Sequence, residues 1–188
     1  MTINFNKTAL VLVDLQQGIT KLDYAPHSVD TIINNANRLI NIFRQQHGFI
    51  AFVHVDFYDG QDELKPNAMI SLPPKQGTAY AQFHPQLDKR DGDYVVTKRN
   101  FSSFFGTDLD LQLRRRGIDT IVLGGVATHA GVDTTARDAF QLNYNQYFIT
   151  DMMSAQNDTT HNFPINYIFP IMGQTLTTDD FIARLEIS

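Results

Sequence analysis

The sequence predicts an α/β fold in which helices cover a parallel sheet on both faces. Short runs rich in Val, Leu and Ile, such as residues 8–13, are typical of strands that are buried on both sides. Residues 29–46 repeat apolar side chains at helical spacing, and Gly48 follows as a stop signal. Because such strands and helices alternate along the chain, a parallel sheet is favoured over an antiparallel one.

The remaining elements follow in the same alternating order. Further strands are predicted over 49–55, 94–97, 119–124, 146–150 and 174–176. Helices are predicted over 107–116, 130–143 and 158–169, and a capping box at 177–180 opens a last helix. Residues 56–93 read as a long irregular loop, which is usually functional or contacts a partner. With no linker, repeat or low-complexity segment, we expect one domain over residues 1–188.

Composition excludes several classes of function. The net charge of −5 argues against a nucleic-acid partner, and Arg114–Arg116 are expected at a helix end that favours positive charge. The chain has no cysteine, which excludes disulfides, thiolate metal sites and a thiol nucleophile. Neither a signal peptide nor an apolar run of about 20 residues is visible, so we expect no membrane contact and a cytoplasmic location.

Reactive side chains collect where the predicted strands end. Asp14 follows the first strand, Lys98 follows the third, and residues 125–131 form the corner after the fourth. Ligands of an open parallel sheet bind at this edge, so the three are expected to meet there. Burial would raise the pKa of an Asp, whereas a nearby Lys would lower it. Such a pair suits proton transfer with a substrate, and the alternative is a plain buried ion pair.

The corner itself carries no nucleophile. Gly131 stands at the bend, between Ala130 and Val132, and none of the three has a reactive side chain. The first amides of a helix have no partner within it, so the amides of Ala130 and Gly131 are candidates for binding a developing oxyanion. The alternative is a simple helix start that needs small residues.

Evidence for a metal site is weaker. His54 and Asp56 point to the same side of a predicted strand, but no third ligand is placed by the sequence. A hydrogen-bonded His54 is therefore the favoured interpretation, and His84 is expected in the loop. Asp133 and Arg137 are spaced for a helical ion pair. We predict no metal and no cofactor.

Three stretches resemble the isochorismatase-like hydrolase superfamily. They are VLVDLQQG (11–18), the segment from VTKRNFSSFFGTDL to GGVATHAGVDTTARDAF (96–140), and TDMMSAQN with the tail IFPIMGQTLTTDDF (150–181). Together they span nearly the whole chain. The resemblance implies a three-layer α/β/α sandwich around a mostly parallel sheet of about six strands, a small-molecule substrate, and a homodimer or larger homo-oligomer.

The resemblance also implies roles for individual residues. Amidase members use an Asp–Lys–Cys triad, which matches Asp14, Lys98 and, in place of the Cys, Gly131. The GVAT segment implies a cis peptide bond between Val126 and Ala127. The substrate-binding positions are then Val126, Ala127, Thr128 and Ala130.

The missing thiol decides between the reactions of the family. Without a Cys the thioester route of the amidases is closed. Isochorismatases cleave a vinyl ether without it, so Asp14 would be the general acid and Lys98 its partner. The Gln-Pro-Gly segment of isochorismatases is not evident after the second strand, which leaves the substrate open. Two alternatives remain, namely a binding protein without catalysis and a hydrolase of another substrate class.

Overall fold

The computed structural model describes residues 3–64, 67 and 79–186. Its strands are β1 (Thr8–Val13), β2 (Phe49–Val55), β3 (Tyr94–Lys98), β4 (Thr120–Val126), β5 (Asn145–Ser154) and β6 (Gln174–Leu176). They form one six-stranded sheet in the order β3-β2-β1-β4-β5-β6, and every pairing is parallel. The predicted fold class is therefore confirmed, with a sheet that is wholly rather than mostly parallel.

Helices alternate with most of the strands along the described chain. They are α1 (Gln17–Thr20), α2 (Val29–Gln45), α3 (Leu109–Arg115), α4 (Asp133–Gln141), α5 (Asp158–Phe163), α6 (Phe169–Met172) and α7 (Thr178–Glu186). A short turn of 3₁₀-helix covers Phe5–Lys7, and π-helical turns cover Thr128–Val132 and Pro164–Ile168. The helix α2 begins where the Ser28 hydroxyl accepts a hydrogen bond from the Thr31 amide at 3.2 Å, as is common at helix N-termini.

The helices lie in two layers. On one face of the sheet, α2 contributes Ile33 and Phe43 and α7 contributes Phe181 to an apolar cluster. On the other face, the cluster includes Ala136 of α4 and Phe169 of α6. All six residues of β1 are buried between these layers, which explains its unbroken apolar sequence. The central strand therefore places Asp14, the residue that directly follows it, at the middle of the sheet edge.

Several predicted boundaries are corrected. The strand predicted over 146–150 runs over Asn145–Ser154, and its pairing with β4 is irregular between Leu123 and Gly125. The helix predicted over 130–143 is a π-helical turn followed by α4, and that predicted over 158–169 is divided into three pieces. Local propensity does not encode these breaks, because they depend on how each segment packs against the sheet.

The loop predicted over residues 56–93 lies only partly within the described chain. Residues 65–66 and 68–78 fall outside the described residues, and with them Pro66, Pro73 and Pro74. No helix or strand is assigned within 56–64 and 79–93. The capping box at 177–180 is confirmed, because Thr177 Oγ1 accepts from the Asp180 amide and donates to its carboxylate. None of the helices in the described ranges is long and apolar enough to cross a membrane.

Candidate active site

Asp14 and Lys98 form a buried ion pair at the carboxyl edge of the sheet. Lys98 Nζ lies 2.8 Å from Asp14 Oδ2 and donates a second hydrogen bond to the Phe101 carbonyl at 2.7 Å. The side chains are 1% and 9% exposed for Lys98 and Asp14 respectively. The predicted meeting of these two residues is thus observed, and it follows from the neighbouring positions of β1, β2 and β3 in the sheet.

Burial favours the protonated form of the Asp14 carboxyl. Loss of solvation raises the pKa of its carboxyl above the ordinary value, and the Lys98 cation opposes that rise only in part. The second carboxyl oxygen, Oδ1, is buried and has no hydrogen-bond partner among the described residues. Buried polar atoms are nearly always paired, so an unpaired oxygen beside a cavity suits a group that meets a ligand.

The backbone of Asp14 is also unusual. Its φ of +55° lies in the left-handed region, which Asp and Asn tolerate better than most residues. Its amide donates to the Val53 carbonyl of β2 at 2.9 Å, so the conformation is fixed by the sheet. A strained backbone at a reactive side chain is a common feature of functional sites.

The corner after β4 brings Gly131 to the ion pair. A Cβ atom at Gly131 would lie 3.1 Å from Asp14 Oδ2 and 3.2 Å from Lys98 Nζ. The peptide bond between Val126 and Ala127 is cis, as the resemblance implied. Gly125 allows the close approach of β4 to β1, because a Cβ there would come within 2.0 Å of the Val13 carbonyl oxygen. Any side chain at position 131 would therefore touch both charged groups.

The predicted substrate-binding residues fall into two groups. Val126, Ala127, Ala130 and Gly131 line a cavity beside Asp14 and Lys98. Thr128 does not line it, because its hydroxyl is buried and lies 2.9 Å from Nδ1 of His161.

The predicted free amide of Ala130 is wrong. The structure corrects it, because this amide donates to the Ala127 carbonyl at 3.0 Å within the π-helical turn. The role of the Gly131 amide stays a prediction.

The cavity has a volume of about 100 Å³ and an apolar lining with a few polar groups. Tyr80 closes one side of it, and its carbonyl accepts a hydrogen bond from the Gly18 amide at 3.0 Å. Gln16 is buried and donates to the carbonyls of Val55 and Tyr80, at 3.0 and 2.9 Å. The Tyr80 ring occupies the space that a Cβ at Gly18 would need. Gln16 and Gly18 therefore fix the wall of the site without contributing chemistry to it.

Sequence reasoning missed six polar side chains of the cavity: Tyr24, Tyr80, Arg99, Asn100, His129 and Gln156. Burial, reinforced by the Asp14 charge, raises the pKa of Tyr24 and Tyr80, so both keep their protons. Burial lowers the pKa of His129, and its Nδ1 is buried without a partner in the described chain. Only Arg99 carried a sequence signal, since it follows Lys98 directly.

The histidine candidates for a metal are satisfied otherwise. His54 places Nδ1 2.7 Å from the Ala81 carbonyl and Nε2 2.9 Å from the Thr97 hydroxyl, as the favoured interpretation predicted. His84 lies on the loop, where its Nδ1 accepts from the Gln86 amide at 3.3 Å. Within residues 3–64, 67 and 79–186, no three His, Cys, Asp or Glu side chains are grouped so as to hold a metal ion.

One further prediction concerns helix α4. The ion pair between Asp133 and Arg137 is confirmed, with Nε 3.0 Å from Oδ1. The FSSFF segment (101–105) is divided between the core and the surface. Ser102, Ser103 and Phe104 are buried, whereas Phe101 lines the cavity and is partly exposed.

Fold and site together define an α/β protein with a buried carboxylate–lysine pair at the carboxyl edge of a parallel sheet. The family model described as the isochorismatase domain matches residues 8–180. The chain therefore belongs to the isochorismatase family of hydrolases.

Relatives and solved structures agree with this assignment. The chain is 49% identical to the uncharacterized isochorismatase family protein YwoC of Bacillus subtilis, over 99% of this chain and 98% of that protein. It is 30% identical to the ureidoacrylate amidohydrolase RutB of Pseudomonas savastanoi, over 93% of this chain and 82% of that one. An isochorismatase family protein structure from Burkholderia thailandensis superposes with a TM-score of 0.92 at 40% identity, covering 98% of both chains.

Proposed function

We propose that this protein hydrolyses a small anionic vinyl ether of the isochorismate type, with Asp14 as general acid and Lys98 as its partner. The observation that carries the proposal is the geometry of Asp14. Its carboxyl is buried, pairs with Lys98 through one oxygen and keeps the other oxygen unpaired beside the cavity. Burial raises the pKa of this carboxyl and so favours its protonated form, which is the form that a general acid needs.

The reaction balances with Asp14, Lys98 and one water molecule. Asp14 donates its proton to the methylene carbon of the vinyl ether, and the ether carbon becomes an oxocarbenium ion. Water adds to that carbon, and its proton returns to the Asp14 carboxylate. The hemiketal then collapses to a ketone and an alcohol, which are pyruvate and a dihydroxylated dihydrobenzoate when isochorismate is the substrate. Lys98 orients the carboxyl and stabilises its anion between the two proton transfers.

Isochorismate turnover by Asp14→Asn tests the proposal. Asn keeps the shape of Asp and tolerates the left-handed backbone, but it cannot give a proton. We expect kcat to fall by about 10²–10⁴-fold, the usual contribution of a general acid. In deuterated water the wild-type protein should place a single deuterium in the methyl group of pyruvate.

Asp133→Asn is the matched control, because Asp133 carries its own ion pair with Arg137 and does not line the cavity. It should retain wild-type turnover. The absence of turnover of isochorismate and of simpler vinyl ethers by the wild-type protein would contradict the proposal.

A second candidate is a binding protein without catalysis. The absence of cysteine favours it, because the corner and the cavity persist without the nucleophile that thioester chemistry needs. Small carboxylates would then raise the Tm of the wild-type protein without being converted. Detection of any product would exclude this function.

A third candidate is hydrolysis of another substrate class. Its support is the similarity to the ureidoacrylate amidohydrolase, although a water molecule would have to replace the thiol as nucleophile. A panel of ureido, amide and enol-ether compounds separates this candidate from the first.

A further inference from the structure

Two consecutive basic residues line the cavity, and they have different partners. Lys98 is buried, and its ammonium group contacts Asp14 and the Phe101 carbonyl. Arg99 lies at the cavity wall with a side chain that is 41% exposed. Of the two cations, only Arg99 is open to solvent and able to exchange its partner.

The partner of Arg99 is a carboxylate from the loop after β2. Its Nε lies 2.5 Å from Oδ2 of Asp62, whose side chain is 27% exposed. Within the described ranges, the guanidinium of Arg99 makes this one hydrogen bond. The two terminal nitrogens therefore keep their donors for a second acceptor, because a guanidinium has five N–H groups in a planar fork.

Asp62 belongs to a short segment that folds onto the cavity. Both of its carboxylate oxygens accept from the Tyr58 amide at 3.1 Å, and Leu64, two residues further on, lines the cavity. The Tyr58 amide, together with Arg99, holds the pKa of the Asp62 carboxyl below its ordinary value. The group that meets Arg99 is therefore an anion at neutral pH.

We propose that Arg99 is the residue that binds the carboxylate of the substrate, and that Asp62 occupies this position until the substrate displaces it. The inference rests on the proposed function in one respect, since it assumes that the cavity beside Asp14 receives the substrate. It goes further by assigning recognition of the substrate carboxylate to one residue, Arg99, and to an exchangeable ion pair.

The energetics favour exchange at Arg99 and oppose it at Lys98. A partly exposed ion pair contributes little net free energy, so its carboxylate is released at low cost. An incoming carboxylate can use the free nitrogens of the guanidinium in a bidentate contact, which is stronger than a single bond. Breaking the buried pair would instead leave an uncompensated charge away from water.

Binding of pyruvate and of its uncharged amide, pyruvamide, tests the proposal. The two probes have nearly the same shape and differ in charge. Titration calorimetry gives the Kd of each for the wild-type protein, Arg99→Met, Arg99→Lys and Asp62→Asn. We expect Arg99→Met to weaken pyruvate binding by about 10–100-fold, the value of a charged hydrogen bond, and to leave pyruvamide nearly unchanged.

Asp62→Asn should change the affinity for pyruvate in the opposite direction. This distinguishes recognition of the carboxylate from simple packing of the loop. Removing the competing charge should strengthen pyruvate binding severalfold, while Arg99→Lys should recover part of the loss seen in Arg99→Met. The matched control is Arg137→Met, whose Nε likewise donates to an aspartate but far from the cavity lining. It should bind both probes as the wild-type protein does.

Three results would overturn the proposal. They are an equal effect of Arg99→Met and Arg137→Met, a loss of pyruvate affinity in Asp62→Asn, and no pyruvate binding to the wild-type protein in the millimolar range. Because binding is measured without turnover, the proposed reaction can fail while carboxylate recognition by Arg99 is upheld, and the converse is equally visible.

Discussion

The two ion pairs of the cavity, Asp14–Lys98 and Asp62–Arg99, contain consecutive basic residues of the chain. They differ in exposure and in the direction in which the pKa of the acid is shifted. The partners of the first lie at the ends of strands, Asp14 directly after β1 and Lys98 as the last residue of β3, and their side chains are 9% and 1% exposed. A loop supplies the acid of the second, which is 27% exposed against 41% for its base. The pKa of Asp14 is raised by burial, whereas that of Asp62 is lowered by hydrogen bonds.

The difference shows how two consecutive residues can serve different purposes, one in the chemistry and the other in binding the substrate. Residues 98 and 99 stand at the end of β3, where the chain leaves the sheet. The side chain of Lys98 points into the interior, and that of Arg99 reaches the rim. A charge that must change its protonation state benefits from burial, and a charge that must release its partner benefits from water.

Lys98→Met should reveal the largest difference in stability between the two ion pairs. It leaves the Asp14 carboxylate buried without its cation, and such a loss typically lowers the free energy of unfolding by about 3–5 kcal/mol. The loss should be smaller in acid, where Asp14 is protonated. Urea denaturation measures it, with Arg99→Met as the matched variant, for which we expect a change below about 1 kcal/mol. Equal losses in the two variants would show that burial does not distinguish the pairs.

Gly131→Ala should disturb the Asp14–Lys98 pair, because residue 131 lies beside it in the turn after β4. The new methyl group would stand 3.1 Å from Asp14 Oδ2 and 3.2 Å from Lys98 Nζ, so one of them must move by a few tenths of an ångström. Overpacking of this kind costs about 1–3 kcal/mol, offset by up to about 1 kcal/mol from the better helix propensity of Ala. We expect a fall in Tm and in turnover, with the Arg99 contact unchanged. A variant with wild-type Tm and turnover would contradict this reading of the corner.

The direction in which the pKa of Asp14 is shifted gives a further test of the difference between the two ion pairs. Because its folded pKa is raised, the stability that Asp14 contributes is present below its ordinary pKa and is lost as the pH rises through the folded value. Removing the cation in Lys98→Met should raise the pKa further, whereas Arg99→Met should leave it in place. The carboxyl carbon shift measured by NMR against pH reports this directly. A downward shift in Lys98→Met would show that Lys98 does not stabilise the anion.

Much of the fold was predictable because its signals are local. The unbroken apolar run of β1, the helical period of α2 and the capping box before α7 each depend on a few neighbouring residues. The meeting of Asp14 with Lys98 was predictable as well, since parallel strands end at one edge of the sheet. The family resemblance supplied the cis bond, which spacing alone does not indicate.

Other features required the tertiary structure. The irregular pairing within β5, the bond between Thr128 and His161 and the engaged amide of Ala130 are set by contacts between distant segments. The same is true of Arg99, whose partner lies 37 positions earlier in a loop without regular structure. The single domain, the cytoplasmic location and the homo-oligomer stay predictions.

The glycine at position 131 has a consequence for the conditions under which the protein can work. Thiol-dependent hydrolases are silenced when peroxide converts their cysteine to sulfenic acid or when an electrophile alkylates it. This chain has no cysteine, and peroxide oxidises neither a carboxylate nor an ammonium group in this way. Met152 and Met153, the methionines at the end of β5, are fully buried. With glycine at this position and no cysteine in the chain, the site beside Asp14 and Lys98 contains no thiol for peroxide to oxidise.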